Sequence, residues 1–178
     1  MLEVVVELIE TIFRRRSIRS FTDYVVTDDE INMMLESARH APSWANTQVW
    51  EYIIVKDIDL IRKVAPTNAS TLIIACAKKN FSGLINGVVV TKFLEWFMFD
   101  IGASVQNLCL RAYELGLGTV ILGYINHELY KQVFSVPENF EVVVAIPIGK
   151  PVVEIPPTYR KEIKSFTHLN KFGESYQK

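Results

Sequence analysis

Hydrophobic positions along the chain change between helical and strand-like spacing, and this alternation predicts an α+β or α/β domain. Helical spacing marks the first dozen residues, the segment 28–41, a short stretch at 57–64 and a long stripe at 93–115. Apolar runs of strand length occur at 50–56, 71–77 and 141–148, with a shorter extended segment at 119–124. The run at 71–77 is apolar nearly throughout, as expected for a central strand that is covered on both faces. Helices on both faces of a small sheet account for this order.

Signals for the ends of elements accompany these patterns. Thr27 and Glu30 form a capping-box pattern before the second helix, and Pro42 follows its end. Gly116 ends the long helix, and Asn126 is placed to cap a short helix that runs to Phe134. The segment 80–87 is predicted to be a turn or loop, and a proline-rich extended arm is predicted at 151–157.

Composition narrows the class of protein. The 178 residues include 49% hydrophobic and 22% charged positions, with a net charge of −1, which is typical of one globular domain and not of a disordered chain. Near-neutrality disfavours a dedicated nucleic-acid binder. The acidic first ten residues do not resemble a secretory signal, and Glu95 and Asp100 interrupt the most apolar stretch, so we expect no membrane partner and a cytoplasmic location. Cys76 and Cys109 are predicted to be buried thiols.

The one local anomaly in charge is an arginine cluster. Arg15, Arg16 and Arg19 stand with Ser17 within five residues, and guanidinium forks together with a hydroxyl suit a phosphate. Two other interpretations remain open from the residues alone. A solvated basic helix end is slightly favoured, and a nucleic-acid patch is the third.

Three further segments carry polar groups that suit a ligand. The loop 41–50 offers hydrogen-bonding side chains and two tryptophans, although an ordinary turn with aromatic anchors is the favoured interpretation when the loop is taken alone. The glycine-rich segment 116–124 does not open a helix with GxGxxG, so no Rossmann site is predicted. Basic residues recur at 160–161. The three histidines are far apart and lack metal-site spacing, so no metal is expected.

The order and spacing of these segments resemble the nitroreductase family of FMN-dependent oxidoreductases. The resemblance covers nearly the whole chain and lies in the segments 15–21 (RRSIRSF), 35–43 (LESARHAPS), 46–50 (NTQVW), 102–108 with 116–119, 148–151 (IGKP), and 160–161 ahead of 167–168. It implies one nitroreductase-like FMN-binding domain over residues 1–178. The implied fold is a three-layer α+β sandwich with a small, mostly antiparallel central sheet flanked by helices. It also implies an intertwined homodimer with FMN at the subunit interface.

The resemblance assigns roles to the basic residues. Arg15 and Ser17 would hold the FMN phosphate, with a further contact from Arg16. Arg19 would lie toward the pyrimidine edge and the ribityl chain, where a cation stabilises the reduced flavin. The C-terminal arm would return Arg160, with Lys161, as a second phosphate-binding group.

The remaining implied contacts surround the flavin ring. The loop would approach from the partner subunit through Pro42, Ser43 and Trp44, with Asn46 and Gln48 behind them. Leu122 and Gly123 would supply backbone contacts near N5 and O4.

The resemblance implies ping-pong catalysis. NADH or NADPH would give hydride to flavin N5, and a nitroaromatic, quinone or similar small acceptor would then be reduced, with no protein side chain as general acid or base. The alternatives are a non-catalytic flavin or nucleotide sensor of the same fold, a specialised flavin reaction such as reductive dehalogenation and, more distantly, a basic-patch nucleic-acid module. Two positions depart from the family pattern: Val49 replaces a frequent proline, and Trp44 replaces a smaller residue.

Overall fold

The computed structural model describes residues 7–176, and helices and strands are interspersed along them. The helices are α1 (Leu8–Arg14), α2 (Asp28–Arg39), α3 (Ile58–Val64), α4 (Phe97–Glu114) and α5 (His127–Phe134). The strands are β1 (Trp50–Val55), β2 (Thr71–Lys78), β3 (Leu84–Ile85), β4 (Val88–Val89), β5 (Gly118–Thr119) and β6 (Phe140–Gly149). Single 3-10 turns occur at Trp44–Asn46 and Ile163–Ser165.

One four-stranded sheet organises the molecule. Its strand order is β1-β2-β6-β5, and each neighbouring pair is antiparallel. Strand β2 lies inside the sheet, and all of its residues except Lys78 are buried. The prediction of a central strand covered on both faces is confirmed, because apolar side chains of β2 point alternately into two separate cores.

Helices cover both faces of the sheet. On one face, α2 and α4 pack through residues such as Met34 and Ile101 against Ile73 of β2. On the other face, Ile61 of α3 and Tyr130 of α5 belong to a second cluster with alternate residues of β2 and β6. This helix–sheet–helix arrangement confirms the predicted three-layer α+β sandwich.

The predicted capping box at the start of α2 is present. Thr27 Oγ1 accepts a hydrogen bond from the Glu30 amide at 3.2 Å, and Glu30 Oε2 accepts one from the Thr27 amide at 2.8 Å. These bonds satisfy donors that have no partner within the helix. They fix the start of a helix whose far end leads into the loop at Trp44.

Replacing Thr27 by alanine should lower the free energy of unfolding by about 1 kcal/mol, because the Glu30 amide loses its acceptor. Denaturant unfolding monitored by circular dichroism measures this change. Thr27→Ser keeps the hydroxyl and serves as the matched control, with stability close to that of the wild type. Equal stability of the alanine variant and the wild type would contradict the assignment of the cap.

Two boundaries differ from the sequence-based predictions. Helix α4 begins at Phe97, not at residue 93. The segment at 80–87 is not entirely loop, since β3 and β4 form a hairpin in which Asn86 and Gly87 have φ of 50° and 77°. The predicted first helix is observed as α1, and its earliest positions, including Val4 and Val5, lie outside the described residues.

Both cysteines are buried free thiols, as predicted. Burial raises the pKa of Cys76 to about 11 and so disfavours the reactive thiolate. Within residues 7–176, no helix combines the length and the apolar character that crossing a membrane requires.

Candidate functional site

A cavity of about 710 Å³ lies beside the arginine cluster. Its wall combines three regions: Arg14 at the end of α1 with Arg15 and Arg16 after it, the turn from the end of α4 into β5, and the proline-rich arm at 151–157. The volume falls within the roughly 300–1,000 Å³ range of small-molecule sites. The cavity therefore brings Arg15 and Arg16 together with the start of the glycine-rich segment, at 116–119. The predicted site residues Ser17, Leu122 and Gly123 do not line it.

Backbone pairing holds the segment after the arginines against the sheet edge. Ser17 pairs with Thr119 in a parallel bridge, and the Ile18 amide donates to the Thr119 carbonyl at 2.9 Å. Phe21 pairs with Pro151, and the Asn68 side chain bonds both backbone groups of Phe21. Ser17 thus extends the sheet beyond β5, and Phe21 pairs just past the end of β6. This pairing fixes the segment that follows Arg15 and Arg16.

Two glycines permit this close approach. A Cβ atom on Gly118 would lie 2.6–2.9 Å from side-chain atoms of Ile18. On Gly149, which pairs with Gly118, a Cβ would lie 3.0 Å from Phe21. Because glycine has no side chain, Ile18 and Phe21 pack directly against the backbone of β5 and β6.

The three arginines at the cavity differ in their partners. Arg14 forms an exposed ion pair with Glu10 at 3.1 Å. Arg16 Nη1 donates to the carbonyls of Phe13 and Arg15 at 2.6 and 2.7 Å and so caps the end of α1. Arg15 Nε and Arg16 Nε are both buried without a hydrogen-bond partner among residues 7–176.

These unpartnered nitrogens argue for an anionic ligand. A buried guanidinium N–H without an acceptor is costly, and a phosphate oxygen is its natural partner. Arg15 and Arg16 are half-buried, so neither is fully solvated, although Arg16 does cap the end of α1 as the helix-end interpretation expects. The acidic Glu114 in the wall already pairs with Arg111 at 2.6 Å. The residues present fit a phosphate-bearing group.

The polar loop between α2 and β1 is held in an unusual conformation. Ala45, Asn46 and Gln48 have φ of 47°, 56° and 47°, which non-glycine residues seldom adopt. Ser43 Oγ accepts from the Gln48 amide at 3.0 Å, and Gln48 Nε2 donates to Asn46 Oδ1 at 3.2 Å. Pro42 is exposed at the loop entrance.

The loop is anchored to the opposite end of α4 from the cavity. The Trp44 amide donates to Asp100 Oδ1 at 2.9 Å in the first turn of α4, whereas Glu114 at the last turn lines the cavity. At 1.5 Å per residue, Asp100 and Glu114 are about 20 Å apart along the helix. One chain therefore does not bring the predicted ring-facing loop and the predicted phosphate site together.

The other predicted residues are more dispersed. Leu122 is half-buried and exchanges two backbone bonds with Ala145 of β6, at 2.8 and 3.1 Å, while Gly123 is exposed next to it. Arg19 is exposed. Arg160 and Lys161 lie exposed on the arm and do not line the cavity, and Arg160 Nη1 donates to Thr158 Oγ1 at 2.7 Å.

Sequence reasoning missed two groups of residues around these regions. Tyr113 and Glu114 line the cavity because the last turn of α4 faces it, and nothing in their local pattern signals this. Asp100 is fully buried and bonds the loop. A carboxylate within an apolar helical stripe was the signal that could have identified it.

Known proteins are similar to this chain in both sequence and fold. The model of the nitroreductase family matches residues 12–84 and 91–150. The chain is 30% identical over 158 residues to the "Putative NADH dehydrogenase/NAD(P)H nitroreductase" of Archaeoglobus fulgidus, covering 82% of this chain and 86% of that protein. It is 28% identical to an FMN reductase (NADPH) of Bacillus subtilis, covering 80% of this chain and 65% of that protein.

A solved structure supports the same fold. The nitroreductase family protein of Clostridium difficile 630 superimposes with a TM-score of 0.80 at 23% identity, covering 93% of this chain and 99% of that one. The match of the family model to most of the chain agrees with the three-layer sandwich. This chain belongs to the nitroreductase family.

Proposed function

We propose that the protein is an NAD(P)H-dependent flavin oxidoreductase that binds FMN and reduces a nitroaromatic, quinone or similar small acceptor. The observation that carries the proposal is the pair of buried, unpartnered guanidinium nitrogens of Arg15 and Arg16 at a ligand-sized cavity. The relatives named as an NAD(P)H nitroreductase and an FMN reductase (NADPH) support the same chemistry.

The arginines and Ser17 hold the phosphate end of FMN in this proposal. A phosphomonoester carries nearly two negative charges at neutral pH, which the guanidinium groups of Arg15 and Arg16 balance. Ser17 is fixed beside them by its bridge to Thr119. Arg160 lies three residues beyond Pro157 of the cavity wall, so the backbone between them spans at most about 10 Å. This short tether allows Arg160, with Lys161, to reach the same phosphate.

When bound, FMN supplies the hydride-accepting chemistry, and the chain supplies position and charge. The backbone of Gly123 would face the polar rim of the ring, and Leu122 would position it through its two backbone bonds to Ala145. Arg19 is exposed and contributes a positive charge toward the pyrimidine edge. No side chain of this protein needs to donate or remove a proton in hydride transfer.

A second copy of the chain completes the site. Because the loop and the cavity lie about 20 Å apart along α4, Pro42, Ser43 and Trp44 reach a ring held by the arginines of the partner subunit. Asn46 and Gln48 support the loop from behind. The exposed apolar face of α1 supports this homodimer: Leu8 and Phe13 are 69% and 66% exposed in the isolated chain.

The tryptophan in the loop shapes the acceptor side of the site. An indole next to the flavin narrows the space and offers a flat apolar surface. Planar aromatic acceptors, such as quinones and nitroaromatics, suit that surface. The substitution of Val49 for the frequent proline leaves an apolar residue that is buried in the core, so it keeps the loop anchored to β1.

Initial-rate kinetics on the FMN-loaded protein test this proposal. When NADH or NADPH is varied at several fixed quinone concentrations, we expect parallel double-reciprocal lines, because donor and acceptor use the same site in turn. Intersecting lines would contradict the two-step scheme. Bound FMN without any turnover would instead favour the non-catalytic flavin protein.

A further inference from the structure

A fully buried carboxylate joins three segments next to the polar loop. Asp100 is 0% exposed, and Oδ1 accepts from the Trp44 amide at 2.9 Å. Oδ2 accepts from the Ser82 hydroxyl at 2.6 Å and, more weakly, from the Thr47 hydroxyl at 3.5 Å. One side chain of α4 therefore binds the loop at both of its ends and also binds the turn that follows β2.

Burial of this carboxylate in apolar surroundings costs free energy of folding. Asp100 interrupts an apolar face of α4 on which Phe97, Ile101 and Val105 are buried in the core. Among residues 7–176, no Lys, Arg or His forms an ion pair with it, so only hydrogen bonds and the start of the helix compensate the charge. A carboxylate buried in this way is tolerated only where its hydrogen bonds are made, and two of its three partners belong to the 43–48 loop.

The loop that Asp100 binds concentrates backbone strain, because it holds three of the seven non-glycine residues with positive φ in the described chain. Ala45, Asn46 and Gln48 all have left-handed φ within four residues. Such conformations persist only where the surroundings hold them in place. The two bonds from Asp100 to Trp44 and Thr47 bracket Ala45 and Asn46, and the bond from Ser43 to Gln48 closes the same loop.

We infer that Asp100 is a positioning residue that holds the 43–48 loop, and thereby the Trp44 side of the acceptor site, in its working conformation. The inference rests on the proposed function, in which this loop faces the flavin of the partner subunit. Asp100 contacts neither flavin nor acceptor in this account. Its bond to Ser82 additionally ties the loop to the turn leading into the β3–β4 hairpin, so both segments share one anchor.

Hydrogen–deuterium exchange on the FMN-free protein tests the anchoring itself. In Asp100→Ala the peptide covering 43–48 should exchange about tenfold faster, while β6 keeps its wild-type protection. Asp100→Asn keeps an oxygen for the Trp44 amide and should restore most of the protection. Wild-type exchange of the loop in Asp100→Ala would overturn the inference.

Ser104→Ala is the matched control on the same helix. Ser104 Oγ donates to the Ala38 carbonyl at 2.8 Å and bonds the Tyr52 hydroxyl at 2.7 Å, so its loss removes buried hydrogen bonds outside the 43–48 loop. Loop exchange in Ser104→Ala should stay near the wild-type rate. If loop exchange accelerated equally in Ser104→Ala and Asp100→Ala, Asp100 would contribute only to overall stability, and the inference would be overturned.

The FMN-loaded protein gives the second measurement. Asp100→Ala should retain FMN, change the visible circular dichroism of the bound flavin, and raise the acceptor KM about tenfold with a smaller change in kcat. Asp100→Asn should recover both properties. Unchanged dichroism and unchanged KM in Asp100→Ala, alongside an active wild type, would overturn the inference. A wild type that binds no FMN would instead refute the proposed function, leaving the exchange result to stand.

Ser82→Ala carries the test if Asp100→Ala does not fold. It removes one donor and leaves the carboxylate in place, so loop exchange should rise about threefold. If the 43–48 loop of Ser82→Ala exchanged at the wild-type rate, the inference that Asp100 anchors the loop together with the turn at Ser82 would be overturned.

Discussion

Replacing Arg15 by alanine is expected to weaken FMN binding by about 10- to 100-fold. Its half-buried guanidinium has an Nε atom with no partner in the described chain, so the ligand phosphate gains charge-assisted hydrogen bonds there. Each such bond contributes about 1.5–3 kcal/mol, and about 1.4 kcal/mol corresponds to a factor of ten in affinity. Fluorescence titration of the FMN-free protein measures the dissociation constant.

Two matched variants isolate the geometry of this contact. Arg15→Lys keeps the charge but loses the planar fork, so its affinity should lie between those of the wild type and Arg15→Ala. Arg62→Ala removes an exposed arginine of α3 that does not line the cavity, and its FMN affinity should be unchanged. Riboflavin, which lacks the phosphate, should bind wild type and Arg15→Ala alike. If Arg15→Ala retained wild-type affinity for FMN, the phosphate assignment would be wrong.

Gly118→Ala should both destabilise the protein and impair FMN binding. The new Cβ would lie 2.6 Å from Cγ1 and 2.7 Å from Cβ of Ile18, closer than non-bonded carbons approach. Overpacking of this kind costs about 1–3 kcal/mol. Relief requires that residues 17–21 move away from β5, and this movement shifts Arg15, Arg16 and Ser17 together. Thermal unfolding and FMN titration of the same sample measure both effects.

Gly102→Ala provides the control for a glycine-to-alanine change. Gly102 lies on α4 with open space where its Cβ would be, and alanine favours a helix, so this variant should be slightly more stable with wild-type FMN affinity. Wild-type stability in Gly118→Ala would show that Ile18 and its neighbours in the segment 17–21 adjust freely. That outcome would contradict the account of how the arginines are placed.

The layers of the fold were predictable because each element carries its own periodicity. The unbroken apolar run of β2 indicated a strand with both faces buried, and the capping box at Thr27 marked the start of α2. These signals are local, so a single sequence contains them in full. The β3–β4 hairpin was missed even though Asn86-Gly87 is a strong turn signal, because its strands have only two residues each.

The candidate site was less predictable because it depends on contacts between distant segments. The arginine motif was compatible with a phosphate site, but the sequence does not show which guanidinium groups are buried. In the structure Arg14 pairs with Glu10, whereas Arg15 Nε is buried without a partner in the described chain. Asp100 bonds to residues more than fifty positions away, which no local pattern encodes. The separation of the loop and the cavity along α4 likewise follows from tertiary packing, and it is the main physical reason to expect a second subunit.

An anaerobic visible spectrum of the FMN-reconstituted protein tests the central claim most directly. Flavin absorption should bleach on addition of NADH or NADPH and return when a quinone or nitroaromatic is added, because reduction and reoxidation occur in sequence at one site. A protein that retains no FMN after reconstitution, or whose bound flavin is reduced by neither nucleotide, would contradict the account.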